Sequence, residues 1–167
     1  MEEDIHSHIY LQPPLELLTS LDDHTSEAFS LKNSTFLEDF SEMYAHKFLV
    51  VIAEPGNGKS RLLKELVIKS IQNHNEGFFL DLKRLSKRSI TQAVSESLKQ
   101  PKMIPTSEAE IVASRDYFHS PAFDLTDPNS ILCLDALDEV RNEQVFDAID
   151  EIKTFLQSFS NCKVVLS

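Results

Sequence analysis

The chain has 167 residues, the size of one domain. Its 41% hydrophobic and 26% charged content is that of a globular chain and excludes disorder throughout. A net charge of −11 speaks against nucleic acid or an anionic membrane surface as the partner of this chain, because phosphate contact needs a basic footprint.

Residues 1–33 read as a mixed lead-in segment. Ile9-Tyr10-Leu11 suggests a short extended piece, ended by Pro13-Pro14. Leu15, Leu17, Leu18 and Leu21 suggest a short helix or a packed loop. Thr35 and Glu38 have capping-box spacing, and Phe36, Leu37, Phe40 and Tyr44 recur at helical intervals, so a helix is expected over about 34–46. From there to residue 167 the pattern is that of one α/β domain. Phe48-Leu49-Val50-Val51-Ile52 is a continuous apolar run, as in a strand buried on both faces. A helix follows over 59–73 with Leu62, Leu63, Leu66, Val67 and Ile71 inward. Phe78-Phe79-Leu80 with Leu82 forms a second strand, and a helix near 89–99 follows. Residues 101–129 are loop-rich, with a possible helix at 107–117. Ile131-Leu132-Cys133-Leu134 is a third strand. Residues 142–158 form a helix with Val145, Phe146, Ile149, Ile152, Phe155 and Leu156 inward. Val164-Val165-Leu166 begins a fourth strand. Strands alternating with helices imply a mostly parallel sheet in three layers.

Cys133 and Cys162 have no metal spacing and lie in or beside apolar runs, which suggests buried free thiols and a reducing cytosol. No apolar signal core follows the acidic Met1-Glu2-Glu3-Asp4, and the longest apolar run, Phe48 to Ala53, is too short to span a bilayer. A cytoplasmic protein without a membrane partner is therefore expected.

Glycine is scarce, with three residues against about 12 at average usage. Two of them fall in Ala53-Glu54-Pro55-Gly56-Asn57-Gly58-Lys59-Ser60, directly after the first strand. This matches the Walker A pattern G-x-x-x-x-G-K-[ST] except at Ala53. Glycines let the backbone turn tightly, so that consecutive N–H groups point at a phosphate. The following helix aims its positive end at the same place. Lys59 is expected to reach the β- and γ-phosphates of ATP, Ser60 to ligate Mg²⁺, and Arg61 to complete the nucleotide-binding stretch. The third strand ends in Asp135, the Walker B arrangement, which would hold Mg²⁺ together with Ser60.

Leu134-Asp135-Ala136-Leu137-Asp138-Glu139 resembles the Walker B segment of NACHT-type STAND NTPases, where a small residue follows the magnesium aspartate and an acidic pair comes two positions later. AAA+ proteins, whose Walker A is similar, put Glu directly after that aspartate; here the position is Ala136. The resemblance covers about residues 45–167. It implies an ATP-driven switch that self-associates on sensing a ligand and triggers a defence or signalling effector. Asp138 or Glu139 would then orient the attacking water as the catalytic carboxylate. An AAA+-like remodelling ATPase and a nucleotide-holding assembly module with little turnover are the alternatives. The resemblance also places a further strand beside the first. Without it, Phe48–Ile52 would be a bare sheet edge, inviting self-association unless residues 1–33 cover it. The chain is thus expected to be part of a longer protein and to turn over ATP weakly alone.

Lys83-Arg84-Leu85-Ser86-Lys87-Arg88 packs four bases into six residues. It reads as a solvated loop or a docking surface for an acidic partner. The six histidines show no metal spacing.

Overall fold

A computed structural model describes residues 15–18, 28–31, 47–52, 54–85, 88–100 and 103–167. The expected helix at 34–46 and the extended piece at Ile9-Tyr10-Leu11 lie outside the described residues.

The described residues form seven strands, β1 (Leu15–Leu18), β2 (Ala28–Leu31), β3 (Phe48–Ile52), β4 (Gly77–Asp81), β5 (Tyr117–His119), β6 (Ile131–Asp135) and β7 (Lys163–Leu166). They form one mixed sheet in the order β2-β1-β3-β7-β6-β4-β5. The four central strands, β3, β7, β6 and β4, are parallel. β7, the last strand in the chain, lies between β3 and β6. The helices are α1 (Lys59–Gln72), α2 (Ile90–Leu98), α3 (Glu108–Ala113) and α4 (Asn142–Ser158).

Strand alternation divides the apolar runs between two layers. Leu49, Val51, Phe79, Cys133 and Val165 face α1, which covers them with Leu62, Leu63, Leu66 and Val67. Phe78, Leu80, Leu132, Leu134, Val164 and Leu166 face the other way, under Ile90 and Val94 of α2 and Ile152 and Phe155 of α4. Leu63 and Leu66 are fully buried. Each such side chain contributes about 1.5–3 kcal/mol over an exposed one. α1 sits so close to the sheet that a Cβ on Gly77 would lie 2.9 Å from Val67 Cγ1, so only glycine fits there.

Four expectations are corrected. Leu15, Leu17 and Leu18 belong to a strand, not to a helix or packed loop. β1 pairs antiparallel with β3 on one side and with β2 on the other. Leu and Glu favour helix locally, but the open N–H and C=O groups of the β3 edge offer a full ladder, and pairing wins. Tyr117–His119 is a strand within the supposed loop region, pairing antiparallel with β4. Three residues are too few for a periodic signal; what holds them is stacking of Phe118 on Phe79, at 5.4 Å, and of His119 on Phe78, at 5.1 Å. Leu82 leaves the second strand for a 3-10 turn, Leu82–Arg84, yet stays buried. Phe146 is 78% exposed rather than inward. At ~100° per residue it lies ~120° around the helix from the buried Ile152.

Candidate functional site

The C-terminal ends of the parallel strands carry the residues singled out by the motifs. β3 leads through Glu54, Pro55, Gly56, Asn57 and Gly58 into α1, whose first residues are Lys59, Ser60 and Arg61. Ala53 lies outside the described residues. Asn57 N–H closes a turn on Glu54 O at 3.2 Å. Gly56 has φ +86° and Gly58 φ +78°, left-handed values that side chains resist. Nothing lies within 4 Å of a Cβ built on either glycine, so it is the left-handed backbone and not crowding that calls for glycine at both positions. Gly58 caps α1 without any side-chain hydrogen bond, and no acid stands in the helix's first turn. No side chain of the helix's own cap or first turn therefore offsets its positive end.

β6 ends at Asp135, 5% exposed. Its Oδ1 accepts a 2.6 Å hydrogen bond from Ser167 Oγ at the end of β7. Ser167 also takes the N–H of Leu137 on its carbonyl at 2.8 Å and donates its own N–H to Leu134 O at 2.9 Å. It thus ties the strand between β3 and β6 to the carboxylate. Ala136 follows at φ +67° and 3% exposure. A left-handed, buried position explains the small residue. The chain then makes a 3-10 turn, Leu137–Glu139.

That turn joins the two halves of the site. Lys59 Nζ donates to Asp138 Oδ2 at 2.6 Å, so the loop after β3 and the turn after β6 meet across β7. Glu139 points elsewhere, with its Oε2 accepting from Lys83 Nζ at 2.8 Å. Lys83 follows β4, and Asp81, the neighbour of Asp135 in register, accepts the Lys83 N–H at 2.9 Å. The Glu139 hydrogen bond holds the Lys83 ammonium above the usual lysine range. Arg61 lies in ion pairs with Glu65 at 2.8 Å and Glu108 at 3.0 Å, which aim it at α3.

The motifs gave no notice of Lys83 as part of the site, of Ser167, or of Lys64. Lys64 is buried on α1 and donates to Ile111 O at 3.2 Å and Ser114 O at 2.6 Å. Burial lowers its pKa, with Asp135 and Asp81 opposing. The one signal available for Ser167 and Lys83 was their place at or just past the C-terminal ends of parallel strands, where ligands of open α/β sheets bind. The six-residue basic stretch is partly consumed internally: Arg88 pairs with Glu96 at 2.6 Å, while Ser86 and Lys87 lie outside the described residues.

Both cysteines are buried and free. Burial pushes the Cys133 thiol up, and that of Cys162 up to about 12, so neither is a thiolate nucleophile at neutral pH. No group of three or more His, Cys, Asp or Glu among the described residues could hold a metal ion alone. Ser60 and Asp135 carry a hydroxyl and a carboxylate, oxygen donors of the kind that Mg²⁺ takes alongside phosphate oxygens. No helix among the described residues is long and apolar enough to cross a membrane. No family model, curated protein or solved structure matches the chain.

Proposed function

We propose that this chain binds Mg-ATP at the C-terminal edge of its parallel strands and acts as a nucleotide-dependent switch of the NACHT-type STAND class in the cytoplasm. One observation carries the reading. A loop with two left-handed glycines runs into a helix without a side-chain cap, whose first residue, Lys59, reaches the turn that follows Asp135. In this reading the loop N–H groups and Lys59 hold the phosphates, Ser60 and Asp135 hold Mg²⁺, and Asp138 or Glu139 orients water. Bound Mg²⁺ would supply charge neutralisation on the phosphate oxygens. Ser167 keeps the Asp135 carboxylate in a fixed rotamer through its short hydrogen bond.

The residue after Asp135 supports this class over an AAA+-like remodelling ATPase. Ala136 has no carboxylate, and its buried left-handed backbone disfavours a longer side chain. Self-association, a sensed ligand and a downstream effector belong to the same proposal. The assembly-module reading differs only in turnover.

Asp135→Ala is expected to weaken magnesium-dependent ATP binding. Asp138→Asn with Glu139→Gln is expected to bind at least as tightly as the unaltered chain and to slow hydrolysis, because orienting water matters only in the chemical step. Equilibrium titration and single-turnover hydrolysis separate the two. Normal hydrolysis by the double variant would reduce these acids to ordinary surface charge.

A further inference from the structure

Asp138 and Glu139 are consecutive, exposed residues of one short turn, yet their carboxylates are held by lysines from two different strand ends. Asp138 meets Lys59 at 2.6 Å and Glu139 meets Lys83 at 2.8 Å. The turn is pinned from below by the Leu137 N–H on Ser167 O. It is pinned from the side by Lys83, itself fixed by its N–H to Asp81. Lys59 is only 14% exposed at its side chain, so its ammonium is held on the protein rather than in bulk water. A carboxylate 2.6 Å from that ammonium takes one of its three N–H donors and offsets its charge, both of which a phosphate oxygen would draw on. In the proposed site Asp138 is thus an internal anion on the phosphate lysine.

We propose that Lys83 is a positioning residue of the phosphate site: by holding Glu139 it fixes the turn that presents Asp138 to Lys59, and Asp138 then competes with nucleotide phosphate for that lysine. This rests on the phosphate-site reading above and adds a residue and a direction to it. Release of Asp138 strengthens nucleotide binding, and loosening the turn at Lys83 does so through Asp138 alone. Both ion pairs are partly exposed, so the effects are modest, and folding stability changes little.

The test is a titration of the β,γ-imido analogue of ATP, with Mg²⁺, into the purified chain. Asp138→Asn is expected to bind about two- to fivefold tighter than the unaltered chain, the range of an exposed ion pair. Lys83→Met is expected to bind about two- to threefold tighter, and Lys83→Arg to restore the original affinity. In the Asp138→Asn background, Lys83→Met should add nothing, a result that general loosening of the fold would not give. Glu139→Gln breaks the same contact from its other end and replaces Lys83→Met if that variant misfolds by circular dichroism. Unchanged affinity in Lys83→Met or Glu139→Gln, or the same change in both backgrounds, overturns the proposal while leaving the phosphate site standing. Equal affinities for the unaltered chain and Lys59→Ala overturn the phosphate site and this proposal with it.

Discussion

The N-termini of α1 and α2 solve the same problem in opposite ways. Each helix leaves its first N–H groups without intrahelical partners. At α2 the chain satisfies them itself. Ser89 Oγ accepts the Gln92 N–H at 3.1 Å, and Gln92 Oε1 accepts the Ser89 N–H at 3.2 Å. The Ile90 N–H goes to Glu151 Oε1 of α4 at 2.9 Å, so a carboxylate already sits on the positive end of the helix. At α1 the cap is Gly58, without a side-chain acceptor, and no acid occupies the first turn. α4 also starts without a side-chain cap, but from Arg141 and with no glycine loop before it. The contrast teaches where an external anion would be welcome. A helix start whose N–H groups already carry a carboxylate is structural, and one that follows a glycine loop without a side-chain acceptor is suited to phosphate.

The largest expected effect tests what the two helices share, a buried apolar face. Leu63→Ala under α1 should lower the unfolding free energy by about 2–5 kcal/mol, read from urea midpoints, because the 0% exposed site cannot collapse around the missing atoms. Val94→Ala under α2 should act in the same direction with a smaller loss, since fewer atoms go. A smaller effect tests the α1 cap. Gly58→Ala places a Cβ on a backbone at φ +78° and should cost about 1–2 kcal/mol of stability. It should also weaken nucleotide binding, as the same backbone shapes the cradle. The smallest tests α2. Ser89→Ala removes its capping box for about 1 kcal/mol and should leave nucleotide affinity unchanged. Nucleotide affinity that responds to Ser89→Ala and ignores Gly58→Ala would break the contrast.

The parallel centre was legible because its strands read as apolar runs, three of them followed by an amphipathic helix, although β3 is only half-buried at Phe48 and Val50 and leaves Ile52 43% exposed. The loop at 54–60 was legible because positive φ demands glycine, and glycine is rare in this chain. The edges were not. β1 takes its form from the open edge of β3, and β5 from aromatic stacking across β4; neither cause is local in sequence. Lys83 looked like one base in a charged run, because its partner Glu139 is 56 residues away. Ser167 is a common residue type whose meaning comes from standing next to Asp135 once β7 is inserted. Phe146 fitted a loose apolar pattern but misses the helix face by a third of a turn.

In the proposed site the start of α1 holds phosphate through Lys59. Calorimetric titration of Mg-ATP into the purified chain and into Lys59→Ala tests it most directly. Loss of a charge facing two phosphate groups should weaken binding by about 2–4 kcal/mol, or about 30- to 1000-fold, with the variant still folded. Equal affinities in the two proteins, or heat that does not depend on this lysine, would contradict the account.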